Sequence, residues 1–502
     1  MRISDLQQHI PGARLLGDAT ALVDAVHFDS RSVSPGYIFV AVPGFRVDGH
    51  DFLDVAIAAG ASAICVQADH QATWRSLTES SAVAVLVVPD SRAALATIAA
   101  ALNGFPARNL NVIAVTGTDG KTSLSHLVTH VLESAGERPG LISTAQCRIG
   151  EDVIGESGRF TTPESPEVQA MLATMVDRNC RWAVIEATSH GLALNRLDHI
   201  EPDIAVVTNV GADHLDFHGS LEEYVAAKGR LFEMLDTAET KRIDKVAVLN
   251  RDDPSYALFR DRSSAQAVTY GIDADADVRA VDIAYESWAS VFTVRTDDAE
   301  FPAKLPAPGL FNVYNALAAT AIGRAAGLDS ETIVRGLASW PGAPGRMQLI
   351  DEGQPFTVVV DFAHSPDSLR RVLELLRERT SGRAIALFGC IGERERERRA
   401  GMGNVAAELA DFTIVTDDNP YTEDRDAIIA EIVDAIRSAG KREGADFEII
   451  PDRREAIAHA LRIARDGDAV LLAGKGHETT VVMTDGSYDC NDAEVARSLL
   501  RK

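Results

Sequence analysis

The sequence predicts an α/β protein of three domains, with a central P-loop ATPase-like domain built on a parallel sheet and a Rossmann-like C-terminal domain. Three observations support this prediction. Short apolar runs rich in β-branched residues alternate with helical patterns along the whole chain, which is typical of parallel sheets covered on both faces. A glycine-containing loop lies between one such strand and a helix. Clusters of glycine and proline interrupt the alternation twice, as they do at domain hinges.

The predicted strands form three series, one for each domain. Hinges at residues 103–106 and 340–345 separate the series, so we expect domains at residues 1–106, 107–341 and 342–502. The three series of predicted strands are residues 37–42, 63–66 and 83–88; residues 111–115, 182–186, 203–208 and 245–249; and residues 356–361, 383–388, 412–416, 447–450 and 469–473.

Composition and charge exclude several functional classes. The 502 residues carry a net charge of -25, whereas nonspecific nucleic-acid binding requires a cationic surface. The start of the chain lacks the basic and apolar regions of a signal peptide, and no apolar run approaches the roughly 18 residues that span a bilayer. The five cysteines are scattered and none lies in a CxxC pair, which indicates reduced thiols. We therefore expect a cytoplasmic protein with no membrane insertion.

Residues 116–123 have the features of a phosphate-binding loop. The predicted strand 111–115 leads into Thr-Gly-Thr-Asp-Gly-Lys-Thr-Ser, and a helical pattern follows at once. Glycines allow backbone N–H groups to turn toward a phosphate, and the helix N-terminus adds its positive end. Position 115 is valine where the usual GxxxxGK[ST] pattern has glycine, so a glycine turn with an incidental lysine is the alternative. The predicted ATP-binding residues are Gly117, Thr118, Asp119, Gly120, Lys121, Thr122 and Ser123.

The short loop is characteristic of the Mur ligase superfamily, which the sequence resembles over nearly its whole length. Within the superfamily it is most similar to the members that add the third, diamino acid residue of the peptide. The motifs that carry this resemblance, in chain order, are Asp29-Ser30-Arg31, Gly49-His50, the loop itself, Thr161-Thr162-Pro163-Glu164, Glu186-Ala187-Thr188-Ser189-His190, Asn209, residues 213–219, Lys228, Gly309 with Phe311-Asn312, Gly345-Arg346-Met347, Asp361-Phe362-Ala363-His364, Asp418-Asn419-Pro420 and residues 474–478.

The resemblance implies a ligase that joins an amino acid to UDP-N-acetylmuramoyl-L-alanyl-D-glutamate through an acyl phosphate, as part of peptidoglycan synthesis. ATP and Mg²⁺ are the implied cosubstrate and cofactor, and a monomer is expected. Lys121, Lys228 and His214 are the implied catalytic residues, with Lys228 carbamylated so that its cation becomes an anion. The implied Mg²⁺ ligands are Thr122, Glu186, His214 and the carbamylated Lys228; a carboxylate suits this hard cation better than a histidine does.

The resemblance also assigns residues to the two nucleotide substrates. Asn312, Arg346 and Asp361 are the implied contacts to ATP outside the loop. A linker arginine and a helix-capping aspartate are the alternatives for the last two, and an ordinary turn is the alternative around Ser30. The implied contacts to the UDP substrate are Phe28, Ser30, Phe45, Arg46, Val47, Thr161, Thr162, Thr188 and Arg196, with the N-terminal domain holding uridine and its diphosphate.

The amino acid that is added is the point at which the sequence departs from its relatives. Members that use meso-diaminopimelate carry Asp-Asn-Pro-Arg, whereas here the fourth position is Tyr421, which offers one neutral hydroxyl in place of a bidentate cation. The sequence therefore predicts L-lysine or L-ornithine, with meso-diaminopimelate as the alternative if an arginine of the segment 395–399 supplies the missing charge. That segment is otherwise expected to be a solvated surface. The implied amino-acid contacts are Arg394, Asp418, Asn419, Pro420, Tyr421, Gly474 and Glu478.

The sequence is also compatible with two other functions. Another acyl-phosphate ligase of the superfamily, such as a folate polyglutamate synthetase or a different Mur step, would share the loop but not the Asp-Ser-Arg and Asp-Asn-Pro motifs. A nucleotide-gated binding or scaffold protein would not need Glu186, His214 and Lys228, all of which are present.

Overall fold

A computed structural model of the chain describes residues 1–45, 47–71, 74–75, 83–155, 161–211, 213–286, 288–394 and 396–501. The chain divides into two compact units. The first consists of Met1–Ile283, Val291–Lys304 and Val313–Trp340, and the second of Ala284–Ser290, Leu305–Asn312 and Pro341–Lys502.

The first part of the first unit is built on a five-stranded sheet. Alternate side chains of its strands enter two separate cores, so that Ile38 and Val40 pack on one face and Phe39 on the other, as the pleat of a strand requires. The sheet order is β1-β5-β4-β3-β2, with β2 to β5 parallel and β1 antiparallel. Its elements are β1 (Arg14–Leu16), β2 (Ala25–His27), β3 (Tyr37–Val40), β4 (Ala63–Gln67) and β5 (Ala84–Val88), with helices Ile3–Gln8, Leu53–Ala58 and Ser91–Leu102.

An eleven-stranded sheet follows, in the order β16-β15-β14-β13-β12-β11-β6-β10-β7-β8-β9. Its centre is parallel, and β8 and β9 are antiparallel. The strands are β6 (Asn111–Thr116), β7 (Gly140–Ile142), β8 (Cys147–Ile149), β9 (Asp152–Gly155), β10 (Trp182–Glu186), β11 (Ile204–Val207), β12 (Val246–Asn250), β13 (Gln266–Gly271), β14 (Val278–Glu286), β15 (Ala289–Arg295) and β16 (Glu300–Leu305). The helices are Lys121–Ser134, Ser165–Asp177, Ser189–Ala193, Leu215–His218, Leu221–Thr237, Tyr256–Phe259, Leu310–Ala325 and Ser330–Ala338.

The second unit is built on a six-stranded sheet in the order β17-β18-β22-β19-β20-β21, parallel except for β17. Two cores cover its faces, and side-chain caps such as Asp452 begin its helices. The strands are β17 (Gln348–Leu349), β18 (Thr357–Asp361), β19 (Ala384–Phe388), β20 (Phe412–Val415), β21 (Phe447–Ile449) and β22 (Ala469–Ala473), followed by the hairpin β23 (Thr480–Met483) and β24 (Gly486–Asp489). The helices are Pro366–Arg379, Glu397–Leu409, Arg425–Ser438, Arg453–Ile463 and Asp492–Leu500.

The parallel register brings the predicted motifs to the carboxyl edges of the two larger sheets. In the first unit, β6, β10 and β11 end side by side, and the phosphate loop, Glu186 and Asn209 lie at that edge. In the second unit, β18, β19, β20 and β22 end together at Asp361 and the segments 389–394, 417–421 and 474–478. The carboxyl edge of a parallel sheet is where such folds bind ligands. Each unit therefore presents a candidate ligand site at the carboxyl edge of its larger sheet.

Candidate functional site

The phosphate loop lies between β6 and the helix Lys121–Ser134, and the segment after β11 braces it. The backbone N–H of Thr118 donates to the Asn209 carbonyl at 2.8 Å, and that of Asp119 donates to Asn209 Oδ1 at 3.0 Å. Thr208 Oγ1 donates to the Asp119 carbonyl at 2.6 Å. The loop is therefore held in shape by a neighbouring strand end as well as by its own glycines.

The contacts with Thr208 and Asn209 require glycine at position 117. Its φ of +143° is a conformation that favours glycine, and a Cβ added there would lie 1.8 Å from Thr208 Oγ1. Gly120 has φ +85° and begins the helix. Backbone groups at a helix N-terminus that no side chain obstructs are suited to bind phosphate oxygens.

Lys121 and Lys228 converge on this loop from two helices. Lys121 Nζ donates to the carbonyls of Gly117 at 3.0 Å and Thr118 at 2.8 Å. Lys228 is buried in the helix Leu221–Thr237, where its Nζ donates to the same Gly117 carbonyl at 2.8 Å and lies 4.3 Å from the centre of the Tyr224 ring. Burial, followed by the charge of Lys121, lowers the pKa of Lys228 well below its usual value.

Glu186 is a buried carboxylate beside the loop, placed there because β10 pairs with β6. Thr122 Oγ1 donates to it at 3.0 Å, Ser143 Oγ at 2.8 Å and the Thr144 N–H at 2.9 Å. The hydroxyl of Thr122 and the carboxylate of Glu186 thus form a pair of hard oxygen ligands, the type that Mg²⁺ prefers.

His214 lies near the two lysines, on a residue with φ +52°. Its ring is 4.7 Å from that of His190, and its Nε2 is 3.4 Å from an Asp213 oxygen. The pKa of His214 is lowered, mainly by burial. The charges of Lys121 and Lys228 lower it further, and the carboxylate of Asp213 opposes the shift. Burial also lowers the pKa of His190, to about 4. Both imidazoles are therefore neutral at pH 7 and able to act as ligands or acceptors.

The residues expected to hold the muramoyl dipeptide form one connected polar group. Thr162 Oγ1 and Thr188 Oγ1 lie 2.8 Å apart, and Arg196 donates to the Thr162 carbonyl at 3.0 Å while pairing with Glu164 at 2.7 Å. Thr161, half-buried, precedes them. Arg92, from the helix that follows β5, approaches the same Glu164 at 3.7 Å.

The residues expected to hold uridine belong to the first sheet domain and differ in burial: Ser30 is buried and Phe28 is half-buried. Phe45 and Val47 are exposed, and the Phe45 ring lies 5.6 Å from that of Phe217. Phe28 stacks on His27. Ser30 lies in a short turn capped by Asp29, which is also what the alternative of an ordinary turn predicts. Arg46 lies outside the described residues.

Of the second-unit residues expected to contact ATP, Asp361 and Arg346 are linked through one turn. Asp361 accepts from the N–H of Met347 at 2.7 Å and of Ala363 at 2.8 Å, which fixes the turn containing Arg346. The Arg346 guanidinium lies 4.5 Å from the centre of the Phe362 ring. Asn312 Nδ2 donates to the Pro308 carbonyl at 2.8 Å. Asp361 thus braces a turn, and it caps none of the helices that the structure describes.

The residues expected to bind the amino acid gather at the carboxyl edge of the second unit. Asn419 Nδ2 donates to Glu478 Oε2 at 2.8 Å, and Gly474, with φ +102°, packs against Asp418. Tyr421 has φ +54°, and the hairpin β23–β24 holds its backbone, Val482 by accepting from its N–H and Thr484 by donating to its carbonyl. Pro420 is buried, and Arg394 is exposed. Arg394 forms no ion pair with any residue that the structure describes.

Residues 396–399 are only in part the solvated surface that their charge alternation suggests, and Glu395 lies outside the described residues. Arg399 is 1% exposed and donates to Glu423 at 2.8 and 2.7 Å and to Glu431 at 3.1 Å. Glu423 also accepts from the N–H of Glu393. The prediction was wrong for Arg399, because pairing in the fold compensates its burial, and it fits Arg396, which is 72% exposed.

Three residues that contribute to these sites were given no role in the sequence analysis, although Asn209 and Lys475 lie in its motifs. Thr208 and Asn209 brace the phosphate loop through contacts that only the sheet register creates. Lys475 is fully buried, and its Nζ donates to Glu478 Oε2 at 2.7 Å. A lysine between two glycines directly after an apolar strand was the available signal.

The chain matches three family models: "Mur ligase family, catalytic domain" over residues 22–102, "Mur ligase middle domain" over residues 115–323 and "Mur ligase, glutamate ligase domain" over residues 345–476. The α/β fold class with three domains is thereby confirmed. Each match lies within one of the three domains expected from the sequence. No helix among the described residues is both long and apolar enough to cross a membrane.

Relatives match over the full length. The chain is 42% identical to a UDP-N-acetylmuramyl-tripeptide synthetase of Roseiflexus sp. (strain RS-1), covering 100% of this chain and 99% of the relative. It is 39% identical to a UDP-N-acetylmuramoyl-L-alanyl-D-glutamate--2,6-diaminopimelate ligase of Geobacillus thermodenitrificans, covering 100% of both. The solved structure of another ligase with this name is 31% identical, with a TM-score of 0.68 over 100% of this chain and 99% of that one.

Proposed function

The chain belongs to the Mur ligase family and is an ATP-dependent, amide-bond-forming ligase, and we propose that it adds a diamino acid to the D-glutamate of UDP-N-acetylmuramoyl-L-alanyl-D-glutamate. Relatives that match over the full length carry names with this dipeptide substrate or its tripeptide product. In this reaction the glutamate carboxylate is phosphorylated by ATP, and the amine of the incoming amino acid then displaces phosphate. The product is the tripeptide precursor of the cell wall.

The observation that carries the proposal is the convergence of Lys121, Lys228, Thr122 and Glu186 on one phosphate loop. Phosphoryl transfer needs little covalent chemistry from the protein, but it needs charges positioned around the transferring group. Lys121 Nζ lies at the loop carbonyls, from where it can contact a phosphate bound at the N-terminus of the helix Lys121–Ser134. Asn312, Arg346 and Asp361 of the second unit are the proposed further contacts to ATP.

The same residues fit Mg²⁺, which would neutralise charge between the two anionic substrates. Thr122 and Glu186 offer adjacent oxygens, and His214 offers a neutral nitrogen. Lys228 as an ammonium cannot be a ligand. We therefore propose that it is carbamylated. The modification would place a buried carboxylate beside the phosphate loop, where Lys228 Nζ contacts the Gly117 carbonyl.

The polar group formed by Thr161, Thr162, Thr188 and Arg196 is the proposed site for the muramoyl dipeptide. Arg196 pairs with Glu164 and donates to the Thr162 carbonyl, so its guanidinium lies within this polar group, and we propose that it contacts a substrate carboxylate. Phe28, Ser30, Phe45, Arg46 and Val47 are the proposed contacts to uridine and its diphosphate. Because the reaction uses ATP and a nucleotide-linked precursor, we place it in the cytoplasm, with the enzyme acting as a monomer.

The comparisons favour 2,6-diaminopimelate as the amino acid, because seven of the eight similar proteins considered carry it in their names. They favour the alternative of the sequence prediction over its first choice. Tyr421 favours the second candidate, L-lysine or L-ornithine, because a neutral hydroxyl cannot replace a cationic fork for a distal carboxylate. The relative from Roseiflexus has a name without an amino acid.

The test is ADP release by the purified protein with ATP, Mg²⁺, the UDP-linked dipeptide and each of the three amino acids. A ligase of this type turns over only when the dipeptide and an accepted amino acid are both present. Turnover with folate and glutamate instead, or ADP release independent of the dipeptide, would contradict the proposal. The ratio of kcat/KM values for meso-diaminopimelate and L-lysine then decides between the two amino-acid candidates.

A further inference from the structure

The second unit contains a buried group of charges at the edge where the amino acid is expected to bind. Lys475 and Asp418 have side chains 0% and 1% exposed, and the lysine nitrogen lies 3.7 Å from Asp418 Oδ1. The same nitrogen donates to Glu478 Oε2 at 2.7 Å and to Asn419 Oδ1 at 3.1 Å. Glu478 is the one member with substantial exposure, at 29%. The group therefore extends from the buried Asp418 to the partly exposed Glu478.

Lys475 and Asn419 together fix the direction of the Glu478 carboxylate. Both donate to Oε2, and Asn419 is itself fixed because its Oδ1 also accepts from the Val482 N–H at 3.0 Å. Among the residues that the structure describes, none donates a hydrogen bond to Glu478 Oε1. One oxygen is thus held from inside the protein, while the other remains an acceptor for a ligand.

Asp418 supplies the second half of the arrangement. Both of its carboxylate oxygens are buried, and neither accepts a hydrogen bond from the described residues. An added Cβ at Gly474 would lie 2.9 Å from Asp418 Oδ2, so glycine leaves room beside the carboxylate. Burial raises the pKa of Asp418, and the nearby Lys475 ammonium opposes that shift. A buried carboxylate without hydrogen bonds is costly unless a cation compensates it.

The charges in this group do not cancel. The adjoining ion pairs, Arg453 with Asp492 and Arg425 with Asp417, are each neutral. Two carboxylates, Asp418 and Glu478, then share the single ammonium of Lys475, and one negative charge remains. A buried group with one excess negative charge and one unoccupied acceptor oxygen on its exposed side is complementary to one ammonium group.

We propose that Lys475 is a positioning residue that sets the selectivity for a diamino acid. It fixes Glu478 with Oε1 turned toward the substrate and, with Asp418, leaves the single negative charge that a distal ammonium group neutralises. This inference rests on the proposed function, and it holds for L-lysine, L-ornithine and meso-diaminopimelate alike because all three carry that ammonium.

The test compares a diamino acid with its analogue that lacks the distal amine, either L-lysine with L-norleucine or meso-diaminopimelate with 2-aminopimelate. The wild-type ratio of kcat/KM values should exceed 100. Lys475→Met should lower that ratio at least tenfold through KM for the amino acid, with KM for ATP unchanged. Arg383→Met is the matched control: it removes another ion pair of the same sheet, with Asp468 at 2.7 Å, at the opposite ends of the strands. Its ratio should stay within twofold of wild type.

A second variant keeps the inference testable if Lys475→Met does not fold. Asp418→Asn leaves Lys475 and Glu478 as a neutral pair, so it should lower the ratio at least tenfold in the wild-type background. In the Lys475→Met background it should change the ratio less than twofold, because an unpaired buried Asp418 takes up a proton. Ratios that stay within twofold of wild type in either single variant, or equal effects of Asp418→Asn in both backgrounds, would overturn the inference. Absence of wild-type turnover would instead refute the proposed function.

Discussion

Gly117 provides the sharpest test of the phosphate loop, through Gly117→Ala compared with Gly136→Ala. Both glycines have positive φ, +143° and +82°, and they flank the same helix, Lys121–Ser134. They differ in surroundings: an added Cβ at Gly136 meets nothing within 4 Å, whereas at Gly117 it would lie 1.8 Å from Thr208 Oγ1 and 3.1 Å from Thr208 Cβ. The pair therefore separates backbone strain from steric conflict.

The expected magnitudes follow from these contacts. A non-glycine residue in a left-handed conformation costs about 1–3 kcal/mol, and both variants bear that cost. Overpacking adds about 1–3 kcal/mol at Gly117 alone. Displacement of Thr208 also breaks its 2.6 Å hydrogen bond to the Asp119 carbonyl, which adds about 1 kcal/mol. We expect Gly117→Ala to lose at least about 2 kcal/mol more than the control, or a factor of about 30 in an equilibrium constant.

Two measurements are needed because the strain can lower either the free energy of unfolding or the affinity for ATP. If the loop keeps its shape, the loss is seen as a lower free energy of unfolding in urea. If the loop relaxes, the loss is seen as weaker ATP binding in titration calorimetry, since binding must restore the shape. The sum of the two losses should exceed that of Gly136→Ala by the stated amount, and Thr208→Ala should recover part of it in the double variant. Equal losses in the two single variants would refute the bracing of the loop by Thr208.

Four further predictions address the remaining residues. Lys121→Ala should reduce kcat by at least a hundredfold with the fold intact, because one such contact to a transferring phosphoryl group is commonly worth about 3 kcal/mol; near-normal ADP release would end the ATP-ligase interpretation. Lys228→Ala should be inactive and partly restored by acetate, and full activity of Lys228→Arg would refute a carbamate. Tyr421→Arg should shift kcat/KM toward meso-diaminopimelate relative to L-lysine, and an unchanged ratio would remove this position from specificity. The hydrogen bonds from Arg399 lower the pKa of Glu423 to about 2. The loss of unfolding free energy caused by Glu423→Gln should therefore be largest above the ordinary glutamate pKa of 4.5 and should shrink as the pH falls toward 2. Urea unfolding of both proteins from pH 7 to 3 measures this difference.

The sequence allowed the strands of all three series and the phosphate loop to be predicted, because continuous apolar runs such as Ala469–Ala473 and the Gly-Lys-Thr sequence are local signals. Strands outside the three series, among them β14 to β16, were not predicted. β14 pairs in parallel with β13 through two residue pairs, and its buried and exposed residues alternate, so it lacks the continuous apolar run on which the prediction relied. Arg399 was misjudged for a different reason. Charge alternation indicates solvent only when no partner lies nearby, and its partners Glu423 and Glu431 are 24 and 32 residues away in the chain.

The two lysines at the phosphate loop give a physical reason for carbamylation of Lys228. Lys121 and Lys228 donate to the same Gly117 carbonyl at 3.0 and 2.8 Å, so two positive charges at that point would repel each other strongly in a buried environment. Burial and the charge of Lys121 both favour the neutral amine of Lys228, the form that reacts with carbon dioxide. Conversion of that amine to a carbamate would turn the repulsion into attraction between the two side chains. The burial of Lys228 beside a second lysine thus favours its modification, whereas a solvated helical lysine in the same sequence pattern would remain a cation.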